Sequence, residues 1–132
     1  PGAPNVEVNE VVNNTPFSIG NINIQPINLN HGKLQVFGYR FNDFAYLTDV
    51  KSVPVEELKK LQGLDVLVVS ALREEEHYSH FNLREALDFV DLVKPGQTYF
   101  THISHLLGFH EEVEKNLPPH VNLAYDGLTI EL

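Results

Sequence analysis

Residues 64–72 read LDVLVVSAL, a nearly continuous apolar run that decides the fold class. A strand buried on both faces needs apolar side chains in both directions, so the run predicts a central strand of a covered sheet. Helix signals stand on either side of it. A cap-like serine, an early proline and two glutamates begin one helix at Ser52, which ends near Gly63, and Asn82 caps another through about Val93. Strand and helix therefore alternate, which favours a layered α/β fold.

Shorter strand patterns precede and follow this run, and a helix is predicted at 111–116. Alternating or aromatic-rich segments predict strands at 5–12, 17–29, 34–41, 44–48 and 97–101, and a closing hairpin of 121–125 with 128–132. The alternation slips at Pro26, which places that strand at an edge or on a bulge because proline donates no ladder hydrogen bond. Asn42-Asp43 predicts a tight hairpin turn. No repeat or linker divides residues 1–132, so one domain is expected.

Composition excludes several classes of function. The chain has 132 residues, a net charge of −9 and no cysteine or methionine. Clustered basic residues are needed to neutralise phosphate, so this charge argues against nucleic acid or an anionic membrane as a partner. The lack of cysteine excludes a disulfide scaffold and a thiolate zinc site. No apolar run approaches the roughly 20 residues that span a bilayer, and no signal peptide is recognisable, which together predict a cytoplasmic protein.

Polar side chains follow several of the predicted strands. His31 and His102 come directly after strands, and Asp49 directly follows the segment FAYLT. His80 lies ten residues after the central strand. Ligands of open α/β sheets bind beyond the carboxyl ends of strands, and imidazole with carboxylate suits zinc, manganese or iron. Each residue alone also has an ordinary explanation, as a loop residue, a turn cap or a strand-end hydrogen-bonding group.

Five short motifs occur in an order that resembles one known family. They are NHGKL at 30–34, YLTD at 46–49, SHFN at 79–82, THISH at 101–105 and YDG at 125–127. Together they resemble the metallo-β-lactamase fold hydrolases, closest to the branch that contains a phosphoribosyl cyclic phosphodiesterase. The resemblance implies an αββα sandwich in which residues 1–132 correspond to the C-terminal half, a mixed sheet with helices on one face. The family motif H-x-H-x-D-H, expected in the N-terminal half, has no match here.

The resemblance also implies roles for individual residues. His31 matches a ligand of the first metal, Asp49 the carboxylate that bridges both metals, and His102 a ligand of the second. His80 matches a histidine near the scissile phosphate, acting as general acid or phosphate contact. Two divalent ions, zinc or manganese, are thus implied for the full-length protein, with partial or no occupancy in this chain. The resemblance assigns no role to His77, His105 and His110.

Two classes of function are therefore expected. The first is a metal-dependent hydrolase, a phosphodiesterase acting on a small cyclic phosphate or related ester, of which this chain alone is inactive. The second is a non-catalytic acidic α/β module that binds a partner, or a degenerate homologue of the enzyme. In either case we expect the missing N-terminal half, another chain or a second copy to cover one apolar face of the sheet.

Overall fold

Seven strands lie side by side in chain order and form one mixed sheet. The computed structural model describes residues 4–132. The strands are β1 (Phe17–Ile19), β2 (Ile22–His31), β3 (Leu34–Phe41), β4 (Phe44–Leu47), β5 (Val66–Ser70), β6 (Gln97–Thr101) and β7 (Val121–Leu123). The pairs from β1 to β4 are antiparallel and those from β4 to β7 are parallel. This arrangement confirms the predicted α/β class with a mixed sheet.

Three crossover connections link the parallel strands. They contain a 3-10 helix (Val55–Leu61), α1 (Leu83–Val93) and α2 (His110–Glu114). All three connections step in the same direction across the sheet, so right-handed crossovers place their helices on one face. The register puts Leu47, Val69 and Phe100 side by side on one face, and each is fully buried. The core therefore lies between the sheet and the helices. Within the described part of the chain, no helix is long and apolar enough to cross a membrane.

Helix α1 begins and ends where the sequence predicts. The Asn82 side chain accepts a hydrogen bond from the Glu85 amide, and the Glu85 carboxylate accepts one from the Asn82 amide. This capping box satisfies two amides at the start of the helix that have no intrahelical partner. The helix ends at Lys94, which adopts a left-handed conformation with φ 55° before Pro95.

The predicted helix near Ser52 is shorter and of another type. Residues 55–61 form a 3-10 helix, and no side chain caps its start. Ser52 instead forms an isolated β-bridge with Asn30, whose amide donates to the Ser52 carbonyl at 2.9 Å. Ser52 therefore pairs with the outer edge of β2 and does not cap the helix.

Two predicted strands are absent from the described residues. Residues 5–12 run without regular structure, and Val6 and Val8 are 72% and 88% exposed. Residues 128–132 follow a turn and do not pair with β7. Alternation alone forms no strand when no neighbouring backbone supplies the ladder hydrogen bonds. The chain end instead reaches the β3–β4 turn, where Leu132 helps to line a cavity of about 240 Å³.

The face of the sheet opposite the helices is rich in aromatic residues. The strand register places Tyr39 beside Tyr46, Tyr46 beside Val68, and Val68 beside Tyr99. Tyr46 is 41% exposed, and Tyr39 and Tyr99 are half-buried. Phe17 packs edge-on against Tyr39 at one end of this surface. We call these residues the aromatic face.

Candidate metal centre

The four predicted site residues meet at one edge of the sheet. Because β2 is antiparallel to β3 and β3 to β4, strand β2 runs parallel to β4 and its successors. His31 is the last residue of β2, Asp49 follows β4 by two residues, and His102 directly follows β6. His80 lies in the loop between β5 and α1. The carboxyl ends of these parallel strands therefore bring together residues that are far apart in sequence, as the sequence analysis expects.

Two of the four residues have a strained backbone. Asp49 and His102 both adopt φ 57°, a left-handed conformation uncommon for residues other than glycine. Each stands where the chain turns sharply away from the end of a strand. Such strain persists only where the surrounding structure fixes it, and it concentrates at functional sites. Here it directs a carboxylate and an imidazole toward the same point.

The nitrogen and oxygen atoms of the site converge without forming good hydrogen bonds to one another. Asp49 Oδ1 lies 3.7 Å from His80 Nδ1 and 3.5 Å from His102 Nε2. The ring centroid of His80 is 4.6 Å from that of His31 and 4.7 Å from that of His102. The two distances from Asp49 Oδ1 exceed the usual N–H···O length of about 2.9 Å. His80 is therefore the central side chain, surrounded by the other three.

His31 is oriented by a buried backbone carbonyl. Its Nδ1–H donates to the Ser79 carbonyl oxygen at 2.9 Å, and Ser79 is only 2% exposed. This hydrogen bond fixes the proton on Nδ1 and leaves the lone pair on Nε2. Histidines that bind metals characteristically donate their other ring N–H to a carbonyl or carboxylate in this way. His31 is thus prepared to act as an Nε2 ligand.

His80 carries a buried nitrogen without a partner. Its side chain is 12% exposed, and Nδ1 is buried with no hydrogen-bond partner. Burial lowers the pKa of His80 below 6.5, and the neighbouring His102 and His31 lower it further, while Asp49 acts in the opposite direction. These effects together favour the neutral imidazole over the charged form. A buried polar atom without a partner is costly, which indicates that the site is built for a further group.

The donor set fits a divalent metal ion. His31, Asp49 and His80 each offer one ligand atom, and these atoms lie within 4.8 Å of one another. Zinc–nitrogen bonds of about 2.0–2.1 Å in a tetrahedral shell place neighbouring ligand atoms roughly 3.3 Å apart. Within this set, the observed 3.7 Å between Asp49 Oδ1 and His80 Nδ1 is close to that spacing. The structure thus groups His80 with His31 and Asp49, and His102 reaches the same carboxylate oxygen.

Three further residues, to which the sequence assigns no role, support the site. Lys51, two residues after Asp49, donates to both Glu85 carboxylate oxygens at 2.7 and 2.9 Å, which ties the loop to α1. The ring centroid of His77 lies 5.0 Å from that of His80. The H-x-x-H spacing of His77 and His80 is the one sequence signal for this contact. The Lys51–Glu85 pair joins residues that are distant in sequence and has no such signal.

Comparison with known proteins defines the class to which this fold and site belong. A family model described as the β-lactamase superfamily domain matches residues 1–103. The chain therefore belongs to the β-lactamase superfamily, and the resemblance to the metallo-β-lactamase fold hydrolases is confirmed.

Within that superfamily, the chain is similar to proteins of the PhnP branch. A crystallised diphosphatase from the PhnP family is 39% identical, with a TM-score of 0.88 over 92% of this chain and 47% of its own. Zinc-bound PqqB from Methylobacterium extorquens shares the fold at 14% identity, with a TM-score of 0.71 over 92% of this chain and 55% of its own. An octanoyltransferase from Porphyromonas gingivalis is 33% identical over 97% of this chain and 26% of its own length. The chain thus spans about half or less of the first relatives that it matches.

Proposed function

We propose that this chain forms part of a metal-dependent hydrolase that cleaves a small phosphate ester, in the manner of a phosphodiesterase or diphosphatase. The observation that carries this proposal is the convergence of His31, His80 and His102 on the Asp49 carboxylate. The similarity to a diphosphatase at 39% identity supports the class of substrate. Because the chain covers 47% of that protein, we propose that activity needs additional polypeptide to complete the site.

The side chains would divide the work between holding metal and binding phosphate. We assign His31, Asp49 and His102 to holding the ions, as the resemblance implies, and His80, which lies close to His31 and Asp49, is the alternative ligand that the test below must separate. Bound divalent ions would supply Lewis acidity and lower the pKa of a coordinated water. The positive charge of the ions would also offset the net charge of −9 around an anionic substrate.

His80 has a distinct role in this proposal. Burial of the ring lowers its pKa and so favours the neutral form, and a neutral imidazole retains one N–H that donates a hydrogen bond. A neutral ring is a poor proton reservoir but a suitable donor to a phosphate oxygen. Of the two roles that the resemblance implies, we therefore propose the phosphate contact.

The test compares metal binding with turnover in matched variants. Hydrolysis of bis(p-nitrophenyl) phosphate with Mn²⁺ or Zn²⁺ is measured for the 132-residue chain and for the longer protein of which we propose it is a part. We expect the chain alone to be inactive and the longer protein to be active. Asp49→Asn should abolish turnover and reduce bound metal in elemental analysis. His120→Gln, at the opposite edge of the sheet, serves as the control.

The His80→Gln variant separates the possible roles of this residue. As a phosphate contact, it should lose about 10²–10³-fold in turnover, the range for loss of one hydrogen-bond donor to developing negative charge, and keep its metal. Loss of metal in His80→Gln would make His80 a ligand instead. A longer protein that contains no metal and hydrolyses no phosphodiester would support the alternative, a non-catalytic acidic module.

A further inference from the structure

An exposed tyrosine stands on an anchored loop beside the metal centre. The loop between β5 and α1 is closed by a hydrogen bond from the Leu72 amide to the Phe81 carbonyl at 2.9 Å. The Phe81 amide in turn donates to the Val50 carbonyl at 2.7 Å. Ser79 in this loop is 2% exposed, whereas Tyr78 is 79% exposed. An anchored loop thus presents a large apolar ring to solvent.

The Tyr78 ring is held against the backbone at the rim of the site. A Cβ atom placed on Gly32 would lie 3.2 Å from Tyr78 Cε2 and 3.3 Å from Cδ2. Gly32 also has φ 61°, and it directly follows His31. A side chain at position 32 would therefore displace the ring. The glycine allows the tyrosine to lie directly beside the first predicted metal ligand.

A row of rings connects this tyrosine with the centre of the site. The ring centroid of Tyr78 lies 5.1 Å from that of His77, and His77 lies 5.0 Å from His80. His80 is 4.7 Å from His102 in turn. Successive planes are inclined by only 37°, 34° and 32°. The row runs from the exposed Tyr78 to His80, the central side chain of the metal centre.

The surrounding charges restrict what this surface binds. Glu74, Glu75 and Glu76 precede it in the same loop and are exposed. Their carboxylates repel a polyanion such as a nucleic acid strand. These carboxylates do not repel a planar, uncharged ring, and such a ring stacks on aromatic side chains.

We infer that Tyr78 and His77 form a stacking platform for the planar ring, such as a nucleobase, of a small phosphate ester whose phosphate binds at the metal centre. This inference rests on the proposed function and names the class of substrate for that site. Tyr78 is the specificity-determining residue in this arrangement, and His77 supports it from the side of His80.

A binding experiment tests the platform without relying on activity. Adenosine 5′-monophosphate and ribose 5-phosphate differ only in the base, and both are titrated into the ¹⁵N-labelled chain with Zn²⁺ present. We expect the nucleotide to bind more tightly by about 5- to 150-fold, the measured range for stacking of one base on one aromatic side chain. Tyr78→Ala should remove this preference and Tyr78→Phe should keep it. Phe109→Ala, which removes an equally exposed ring outside the row, should have no effect.

Equal affinity for the two probes in the unmodified chain would overturn the inference, as would an equal loss for both probes in Tyr78→Ala.

Kinetics on the longer protein keep the two proposals apart. The substrates are adenosine 2′,3′-cyclic phosphate and the 2′,3′-cyclic phosphate of methyl riboside. If both are hydrolysed with equal KM, the proposed function holds and the stacking platform fails. If neither is hydrolysed but the base still governs binding, the platform holds and the proposed activity fails.

Discussion

Asp49 combines backbone strain with the central carboxylate of the site. At φ 57° its conformation costs more for an L residue than for glycine. Glycine would adopt the same conformation without this steric cost. The carboxylate is therefore retained at some expense to the fold, which agrees with a functional role.

Replacing Asp49 by glycine should separate stability from metal binding. Because glycine adopts a positive φ without steric cost, we expect the free energy of unfolding to rise by up to about 1 kcal/mol. Zinc affinity should fall by more than about tenfold, since the loss of even an outer partner of a ligand costs that much. Urea unfolding without metal measures the first quantity, and zinc titration calorimetry measures the second.

Asn42→Gly is the matched control for this prediction. Asn42 has φ 50° in the β3–β4 turn, at the edge of the sheet away from the site. It should show a similar change in stability with no change in zinc affinity. An Asp49→Gly variant that binds zinc like the unmodified chain would remove Asp49 from the metal centre.

The outer edge of β2 is protected by a buried ion pair. Beyond Ile24, β2 has β3 as its only neighbouring strand, so Pro26 lies on an edge as predicted. The next amide on that side, of Asn28, donates to the Glu57 carboxylate at 2.8 Å. Glu57 is 2% exposed and also accepts from Lys60 at 2.6 Å. The 3-10 helix thereby covers an edge that would otherwise pair with another chain.

Lys60→Met should destabilise the fold in a pH-dependent way. Burial raises the pKa of Glu57, but hydrogen bonds from Lys60 and the Asn28 amide outweigh it, and the pKa lies below 4.5. Glu57 therefore contributes stability above pH 4.5, and this contribution is lost as the pH falls through the lower pKa of the folded state. In Lys60→Met burial is opposed only by the hydrogen bonds from the Asn28 amide and the Asn13 side chain. A buried charge that has lost its partner costs about 3–5 kcal/mol at pH 7.

The deficit of Lys60→Met should shrink toward about pH 4, where its unpaired carboxyl takes up a proton. Urea unfolding at the two pH values measures the change. Arg84→Met is the control, because the Arg84–Asp88 pair is 80% and 61% exposed and worth about 0–1 kcal/mol. A deficit in Lys60→Met that stays constant with pH would contradict this account of Glu57.

Short sequence patterns predict correctly those elements whose structure depends mainly on their own residues. The capping residues of α1 and the apolar run of β5 are sufficient to place both. Residues 5–12 and 128–132 have strand-like patterns, but strand formation depends on a neighbour that the sequence does not specify. At the site, positions at strand ends predict convergence. The contact of His77 with His80 depends on the path of the β5–α1 loop, which distant backbone hydrogen bonds determine.

For the molecule as a whole, the aromatic face is the surface on which we expect another polypeptide to pack. It lies opposite the helices, and its tyrosines remain partly accessible to solvent. We propose that further polypeptide, either a preceding half-domain or a second copy, packs on this face. A contiguous apolar surface that stays exposed commonly marks an interaction site.

Tyr46→Glu tests whether the aromatic face causes the 132-residue chain to self-associate. We expect the unmodified chain to self-associate in sedimentation velocity and to bind an apolar dye, since burial of aromatic surface contributes about 25 cal/mol per Å². Tyr46→Glu should reduce both effects. Leu92→Glu, at a position 62% exposed on α1, should change neither. A monomer that binds no dye would contradict the proposed covering.

The order of the strands also has a kinetic consequence. His31 and His102 stand at the ends of β2 and β6, and the intervening strands must all be in register before the two rings approach each other. Contacts between residues so far apart in sequence form late, because loop closure is paid for before they are made. A metal ion added during refolding would then bind both rings only after strands β2 to β6 are in register. Its binding would report a late step of folding, and its affinity would shift the folding equilibrium without accelerating folding.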